Sequence, residues 1–432
     1  MKKAASFALG CKVNQYESEA IAELFAEKGY EIVGIDEEAD VYVINTCTVT
    51  NFGDKKSRQL IRKVKRQNEN AIVAVVGCYA QTAPKELMEI AGVNLVIGTK
   101  DRAQIVEMVE QYDRANGVEN HVSDIMKERV FEPLSIQKLA NRTRAYLKIQ
   151  DGCSQYCSYC IIPYARGPIR SREPQEVVAE VKRLAENGFK EVVLTGIHVA
   201  SYGKDRRDTS LPDILKQVHE VEGIERIRFS SIEPNVVTEE FAQTMAALPK
   251  VCDHFHLSLQ SGCDKTLKEM NRKYDTEKYR QAAAMLRKYL PKVALTTDII
   301  VGFPGETEED FRESYAFAEE IGFAKIHVFP YSPKRGTPAA ARKDQLLNAV
   351  KAERSHTLIQ LSDKMAADFL ADAVGTDAEV LYERAVGDGI YEGHTTNYMK
   401  VHGRSEVDLT NRICKTHITR AEGEMLFGDA EV

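Results

Sequence analysis

The sequence predicts an α/β protein in three parts: an N-terminal parallel α/β sheet domain, a central partial (βα)6 barrel, and a small C-terminal β-barrel. Three observations carry this. Short Val- and Ile-rich runs alternate with amphipathic helical stretches as far as residue 370, the pattern of parallel strands joined by helical crossovers. Six such units follow one another in the middle of the chain, short of an eight-fold barrel. Beyond residue 370 the helical periodicity stops, and Gly387, Gly389, Gly393 and Gly403 punctuate short alternating runs.

In the first domain, 1–112, strands are expected at 6–10, 41–46, 71–77 and 94–97, with helices at 17–28, 55–67, 84–91 and 102–112. The stretch 113–138 is polar and reads as a linker. In the second domain, 139–370, strands are expected at 145–150, 191–195, 226–231, 255–259, 294–301 and 325–330. Helices at 174–187, 212–221, 239–248, 264–289, 307–321 and 344–370 fill the gaps. In the third, 371–432, short strands at 377–383, 390–392, 399–402 and 415–420 point to a five-stranded barrel, an architecture that often binds oligonucleotides.

Composition narrows the function classes. The 432 residues are 43 % apolar and 28 % charged, which is globular and excludes disorder, collagen and a disulfide-stapled miniprotein. No apolar run approaches the roughly 18 residues that span a bilayer, so no membrane partner is expected. The net charge is −7; nucleic-acid binding, if present, must be local. Lys2 and Lys3 followed by an apolar stretch and Cys11 faintly resemble a lipoprotein signal, but the stretch is short and polar residues follow at once. It reads better as a strand delivering Cys11 into a site. A cytoplasmic chain is expected, and there cysteines more often ligate metals or catalyse than form disulfides.

Nine cysteines are present. Cys153-Ser-Gln-Tyr-Cys157-Ser-Tyr-Cys160 places three thiolates within eight residues, enough for three irons of a 4Fe-4S cubane with the fourth left open. Zinc would want a fourth Cys or His nearby; the nearest downstream is His198. The three follow the first barrel strand, at the end where barrel active sites sit. Cys11, Cys47 and Cys78 each end an expected strand of the first domain. At the carboxyl edge of one parallel sheet they can converge on a second cluster, the alternative being three buried packing cysteines. Cys252, Cys263 and Cys414 read as structural.

The barrel motif, with Tyr159 before the last cysteine, resembles the radical S-adenosylmethionine signature. The whole chain resembles the methylthiotransferase family, and its last part looks like a TRAM domain, an RNA-binding module. Leu194-Thr195-Gly196-Ile197-His198, Leu257-Ser258-Leu259-Gln260-Ser261-Gly262 and Asp298-Ile299-Ile300-Val301-Gly302-Phe303-Pro304-Gly305-Glu306 agree, as does Pro163-Tyr164-Ala165-Arg166-Gly167 with Arg170 and Arg172. Gly10-Cys11-Lys12-Val13-Asn14-Gln15-Tyr16-Glu17-Ser18 resembles the branch that acts on N6-threonylcarbamoyladenosine in tRNA.

The resemblance implies two 4Fe-4S clusters, S-adenosyl-L-methionine, tRNA, a flavodoxin- or ferredoxin-like electron donor and a sulfur donor. It implies a methylthio group placed on C2 of the adenine next to the anticodon, with no catalytic residue beyond the cluster ligands. The alternatives are isopentenyladenosine or a ribosomal-protein side chain as substrate, or a non-catalytic iron–sulfur RNA-binding regulator.

On that reading Tyr159 and Gly196 lie beside the cofactor's adenine or methionine, Gln260 and Ser261 face its ribose, and Gly302 and Pro304 line the adenine pocket; ordinary βα loops are the alternative. Arg166, Arg170 and Arg172 are expected on the cofactor carboxylate or a tRNA phosphate, the alternative being a solvated face, with Arg166 and Arg170 leading for the carboxylate of the substrate base. Lys55, Lys56, Arg58, Arg62, Lys63, Lys65 and Arg66 put seven positive charges in twelve residues, a phosphate ridge or a solvated face. The third domain has net charge −6 from twelve acids and six bases, so RNA contact there rests on the resemblance, with Lys400, Arg404, Arg412, Lys415 and Arg420 as the candidate face. His254 and His256 read as barrel or surface residues rather than ligands.

Overall fold

The computed structural model describes residues 1–136 and 143–431; the expected boundary between linker and barrel, at 138/139, lies outside them. The N-terminal domain contains β1 (Lys3–Ala8), α1 (Lys12–Glu27), β2 (Glu31–Ile32), β3 (Val41–Thr46), α2 (Asn51–Gln67) and β4 (Ile72–Gly77). It continues with α3 (Cys78–Thr82), α4 (Pro84–Met88), β5 (Leu95–Val96), α5 (Ile105–Gln111) and β6 (Glu119–Asn120). The strands form one parallel sheet in the order β2-β1-β3-β4-β5-β6. Every residue of β3 is buried, as expected of a strand covered on both faces.

Two expectations shift. α1 begins at Lys12 rather than 17, because Asn14, Glu17 and Ser18 are buried and interrupt the apolar stripe that marks a helix. The expected linker is packed. Its β6 adds a sixth strand to the sheet, and Ile125, Leu134 and Ile136 are buried; a few apolar anchors fix a segment whose average composition is polar.

The central domain runs β7 (Arg144–Asp151), α6 (Ile162–Arg166), β8 (Arg170–Ser171), α7 (Pro174–Glu186), β9 (Glu191–Gly196), α8 (Leu211–His219), β10 (Arg226–Phe229) and α9 (Glu239–Ala246). It continues with β11 (His254–His256), α10 (Asp264–Glu269), α11 (Thr276–Tyr289), β12 (Ala294–Val301), α12 (Glu308–Ile321), β13 (Lys325–Pro330) and α13 (Asn348–Ala371). β7, β9 and β10 are parallel, as are β11, β12 and β13. Parallel bridges Ile227–Val251 and Ile232–Leu257 join the two ladders. The six parallel strands of the expected partial barrel are therefore present, with short β8 antiparallel on the outer edge of β7. The single helix expected at 264–289 is two. Asn271 adopts φ 59° between them, a left-handed conformation that Asn tolerates.

β14 (Asp377–Gly387), β15 (Ile390–Thr395), β16 (Lys400–Arg404), β17 (Ile413–Glu422) and β18 (Met425–Ala430) close a barrel in the order β14-β15-β16-β18-β17. The unmarked fifth strand is β18. The barrel docks on the central domain through Arg226 and Arg228, which donate to the carbonyls of Glu379, His394, Thr395 and Thr396.

The N-terminal domain meets the open barrel on both edges. α1 packs against β7, while on α2 Asp54 pairs with buried Lys334, just past β13, and Asn51 donates to the Pro333 carbonyl. Among the described residues no helix is long and apolar enough to cross a membrane.

Candidate metal centres

Cys11 caps α1, Cys47 follows β3, and Cys78 opens α3 directly after β4. The glycines that precede two of them permit the approach. Gly10 adopts φ 94°, and a Cβ there would lie 2.6 Å from Cys47 Sγ; Gly77 adopts φ 92°, and a Cβ there would lie 2.3 Å from Asn45 Oδ1. Asn14 stitches the strand ends, donating to the carbonyls of Leu9 at 2.7 Å and Thr46 at 3.1 Å. Burial, reinforced by the sulfurs of Cys78 and Cys11, pushes the Cys47 thiol up to about 12. The three strand-end cysteines thus form one group.

The barrel triad sits in the loop after β7. Cys153 N–H donates to Gly167 O, Cys160 N–H to Cys157 O, and Ser158 N–H to Met270 O, so the loop is held from both sides. Burial, with Cys157 and Cys153 adding repulsion, pushes the Cys160 thiol up to about 12. None of the cysteines is in a disulfide. Among the described residues no group of three His, Cys, Asp or Glu is gathered tightly enough for a single metal ion. A cubane has a different demand, since each cysteine takes a different iron, and two all-thiol triads fit it.

A cavity of about 1020 Å³ occupies the barrel interior, lined among others by Cys11, Lys12, Gly196, His254, His256 and His327. Of the expected cofactor residues, Gly196 lines it. A Cβ at Gly196 would stand 2.7 Å from Gln150 Oε1, so this glycine is required by close strand packing. Tyr159 packs with Phe303 and Met270, which brings it beside the loop of Gly302 and Pro304. Gly302 N–H is spent on Glu306 at 2.7 Å. Gln260 lies four residues past β11, in an isolated parallel bridge to Ile299, and adopts φ 72°; the Ser261 hydroxyl accepts from Cys263 N–H at 3.3 Å. The cavity lining includes none of Tyr159, Gln260, Ser261, Gly302 and Pro304.

The arginines depart from expectation. Arg166 and Arg170 are 0 % and 2 % exposed, not at an open mouth. Arg166 donates to Glu17, to Asn14 Oδ1 at 2.7 Å, and through Nε to Cys78 Sγ at 3.2 Å; Arg170 lies 3.5 Å from Asp151 and donates to the Arg166 carbonyl. Buried carboxylates claim them. Arg172 pairs with buried Glu180 at 2.6 Å.

Residues not expected as partners of the cysteine triads complete the centres. Glu17 binds Arg102, Lys148 and Arg166, and Arg272 Nη1 donates to Cys157 Sγ at 3.1 Å. The signals for Glu17 are its place one helical turn beyond Asn14 and its membership of the Gly10-to-Ser18 segment.

On α2, Lys55, Lys56, Arg62, Lys63 and Arg66 are exposed, but Lys63 pairs with Asp36, Arg58 donates to the Tyr79 hydroxyl and Lys65 to the Ala71 carbonyl. Phe52, at the start of the same helix, is 63 % exposed. In the terminal barrel Lys400, Lys415 and Arg420 lie against acids.

Two family models match, the radical SAM superfamily over residues 147–318 and the uncharacterized protein family UPF0004 over 3–98. The first implies a 4Fe-4S cluster and S-adenosyl-L-methionine. The chain is 47 % identical over 98 % of its length, and 94 % of the relative's, to the threonylcarbamoyladenosine tRNA methylthiotransferase MtaB of Bacillus subtilis (strain 168). It is 39 % identical over 88 % of its length to the MtaB of Aquifex aeolicus (strain VF5), covering 92 % of that protein. It is 36 % identical over 97 % of its length to the tRNA-2-methylthio-N(6)-dimethylallyladenosine synthase of Moorella thermoacetica, covering 96 % of that protein. Among solved structures, the radical S-adenosylmethionine methyltransferase TsrM of Kitasatospora setae shares the fold, with TM-score 0.56 at 17 % identity, over 79 % of this chain and 77 % of that one. With relatives this similar over nearly its whole length and cysteine triads in both matched domains, the chain belongs to the radical S-adenosylmethionine methylthiotransferase family.

Proposed function

We propose that this enzyme is a tRNA methylthiotransferase that places a methylthio group on C2 of N6-threonylcarbamoyladenosine next to the anticodon. One 4Fe-4S cluster is held by Cys153, Cys157 and Cys160 and a second by Cys11, Cys47 and Cys78. The observation that carries this reading is the pair of triads, one per domain, with Arg166 reaching from the barrel side to Cys78. The threonylcarbamoyl substrate is supported by the 47 % identity to a relative named for it, against 36 % to a dimethylallyladenosine synthase.

An aromatic C–H is too strong and too weakly acidic for proton-transfer chemistry alone. When bound, the barrel cluster with S-adenosyl-L-methionine supplies radical chemistry suited to it. The protein's part is to hold and orient. The six thiolates ligate the irons. Tyr159, with Gly302 and Pro304 on its neighbouring loop, walls the cofactor; Gly196 lets β9 close on β7, and Gln260 and Ser261 in the loop after β11 face its sugar. Phe52 offers an exposed ring for a base to stack on, beside the cations of α2 that face phosphates. A flavodoxin- or ferredoxin-like donor supplies electrons, a separate donor supplies sulfur, and a tRNA substrate places the work in the cytoplasm.

The reconstituted enzyme is tested on one tRNA bearing threonylcarbamoyladenosine, isopentenyladenosine or plain adenosine, with nucleoside mass spectrometry as readout. The methylthio product is expected from the first alone, because a pocket that satisfies the threonylcarbamoyl carboxylate would leave its polar groups unpaired against an isopentenyl chain. Comparable turnover of isopentenyladenosine overturns the substrate.

A further inference from the structure

Each cysteine triad has one sulfur that accepts a hydrogen bond from a buried guanidinium: Arg166 Nε to Cys78 Sγ at 3.2 Å, and Arg272 Nη1 to Cys157 Sγ at 3.1 Å. The two arginines keep different company. Around Arg166, four buried cations (Arg102, Lys148, Arg166 and Arg170) share three carboxylates (Glu17, Glu132 and Asp151). Among the described residues this knot is one anion short. An uncompensated buried charge is costly, and Arg166 turns its Nε to a cysteine sulfur. A neutral thiol would leave the surplus charge standing, whereas a metal-bound thiolate cancels it. Arg272 has its own carboxylate, Glu233 at 2.8 Å, which also accepts from Gln155 at 3.1 Å and lies 3.4 Å from His198.

We infer that Arg166 and Arg272 are positioning residues that set the reduction potentials of the two centres separately, Arg166 for the N-terminal one and Arg272 for the barrel one. This rests on the reading that both triads carry 4Fe-4S clusters. The couple is one electron taken up from a chemical reductant, with no bond made or broken. A guanidinium hydrogen bond to a ligating sulfur favours the more negative, reduced state and so raises the potential. The surplus charge around Arg166 makes its effect the larger.

The test poises the full-length, anaerobically reconstituted chain with dithionite and mediators and follows the reduced clusters by electron paramagnetic resonance. Chains with Cys153, Cys157 and Cys160, or Cys11, Cys47 and Cys78, changed to Ala isolate one centre at a time. Arg166→Met leaves three cations for three carboxylates, so it strands none of them. It is expected to lower the reduced-to-oxidised ratio of the N-terminal centre at fixed potential about tenfold, or about 59 mV for one electron, with the barrel centre unmoved. Arg272→Lys keeps a charge for Glu233 but withdraws the fork from Cys157; it is expected to give a smaller fall at the barrel centre alone. If Arg166→Met loses iron, Arg166→Lys makes the same comparison. Unmoved potentials with iron retained, or both centres shifting together, overturn the inference. A wild-type chain holding half of the roughly eight irons of two cubanes overturns the two-cluster reading itself, and with it the role of whichever arginine serves the empty triad.

Discussion

Tyr398 of the terminal barrel stacks on His254 of β11, with ring centroids 5.0 Å apart and planes 26° from parallel. The guanidinium groups of Arg144 and Arg228 lie 5.2 and 4.8 Å from the centre of the same ring, and Arg144 donates to its hydroxyl at 2.9 Å. The turn that carries Tyr398 therefore plugs the N-terminal end of the central barrel. Tyr398→Ala removes two cation–π contacts, each worth about 0.5–2 kcal/mol, and the stacking. The terminal domain is expected to loosen, with faster proteolytic cleavage between α13 and β14 and an unchanged central core. An unaltered digestion pattern would sink this account of the interface.

Glu17 governs stability against acid. Burial alone would raise its carboxyl, but Arg102, Arg166 and Lys148 outweigh burial and hold it well below the usual value of 4.5. A depressed carboxylate stabilises the folded state above its unfolded value, and that stability is lost as the pH falls through the folded one. The wild type should therefore lose stability below about pH 4.5. Glu17→Gln leaves its cations unpaired and should cost about 3–5 kcal/mol at pH 7, while flattening this acid limb. Urea unfolding at pH 7, 5 and 4 measures both.

Iron content separates the triads. After anaerobic reconstitution the chain should hold about eight irons. Replacing Cys11, Cys47 and Cys78 by Ala should halve this and leave reductive cleavage of S-adenosyl-L-methionine measurable. Replacing Cys153, Cys157 and Cys160 should also halve it and abolish that cleavage. Full iron in the first variant would mean that the N-terminal cysteines only pack.

RNA binding by α2 is expected to come from its unpaired cations, so Lys55, Arg62 and Arg66 are the informative positions; Lys63 already has Asp36. Reversing the three to Glu should weaken tRNA binding and reduce the slope of log affinity on log salt by about 0.7–0.9 for each phosphate no longer neutralised. Filter binding across a salt series reads this directly, and an unchanged slope would make the helix a solvated face.

The parts of the fold with local signals were legible. β3 and β4 lie where continuous Val- and Ile-rich runs place them, because a strand buried on both faces hides nothing from periodicity; the barrel strands are more mixed, and β11 is His254–His256 against an expected 255–259. The elements that shifted depend on partners far along the chain. α1 was read five residues short because Asn14 and Glu17, polar by type, are buried against strand ends and Arg166. Arg166 and Arg170 stood out by position and charge, yet their carboxylates, Glu17 and Asp151, lie 149 and 19 residues from them, a pairing that one sequence does not reveal. Arg272 gave no signal, since its role comes from the break at Asn271 between two helices that the pattern ran together.

The N-terminal domain clasps both free edges of the open barrel, through the charge knot at β7 and Asp54 with Lys334 beyond β13. The two domains are thus poor candidates for independent exchange. A hybrid that draws its first hundred residues from one relative and its barrel from another would part Glu17 from Arg102, Lys148 and Arg166, the cations that hold it. Only grafts that move Glu17, Arg102 and Glu132 together with Lys148, Asp151, Arg166 and Arg170 keep the knot whole, so the pair is transmitted as one unit of inheritance rather than as two modules.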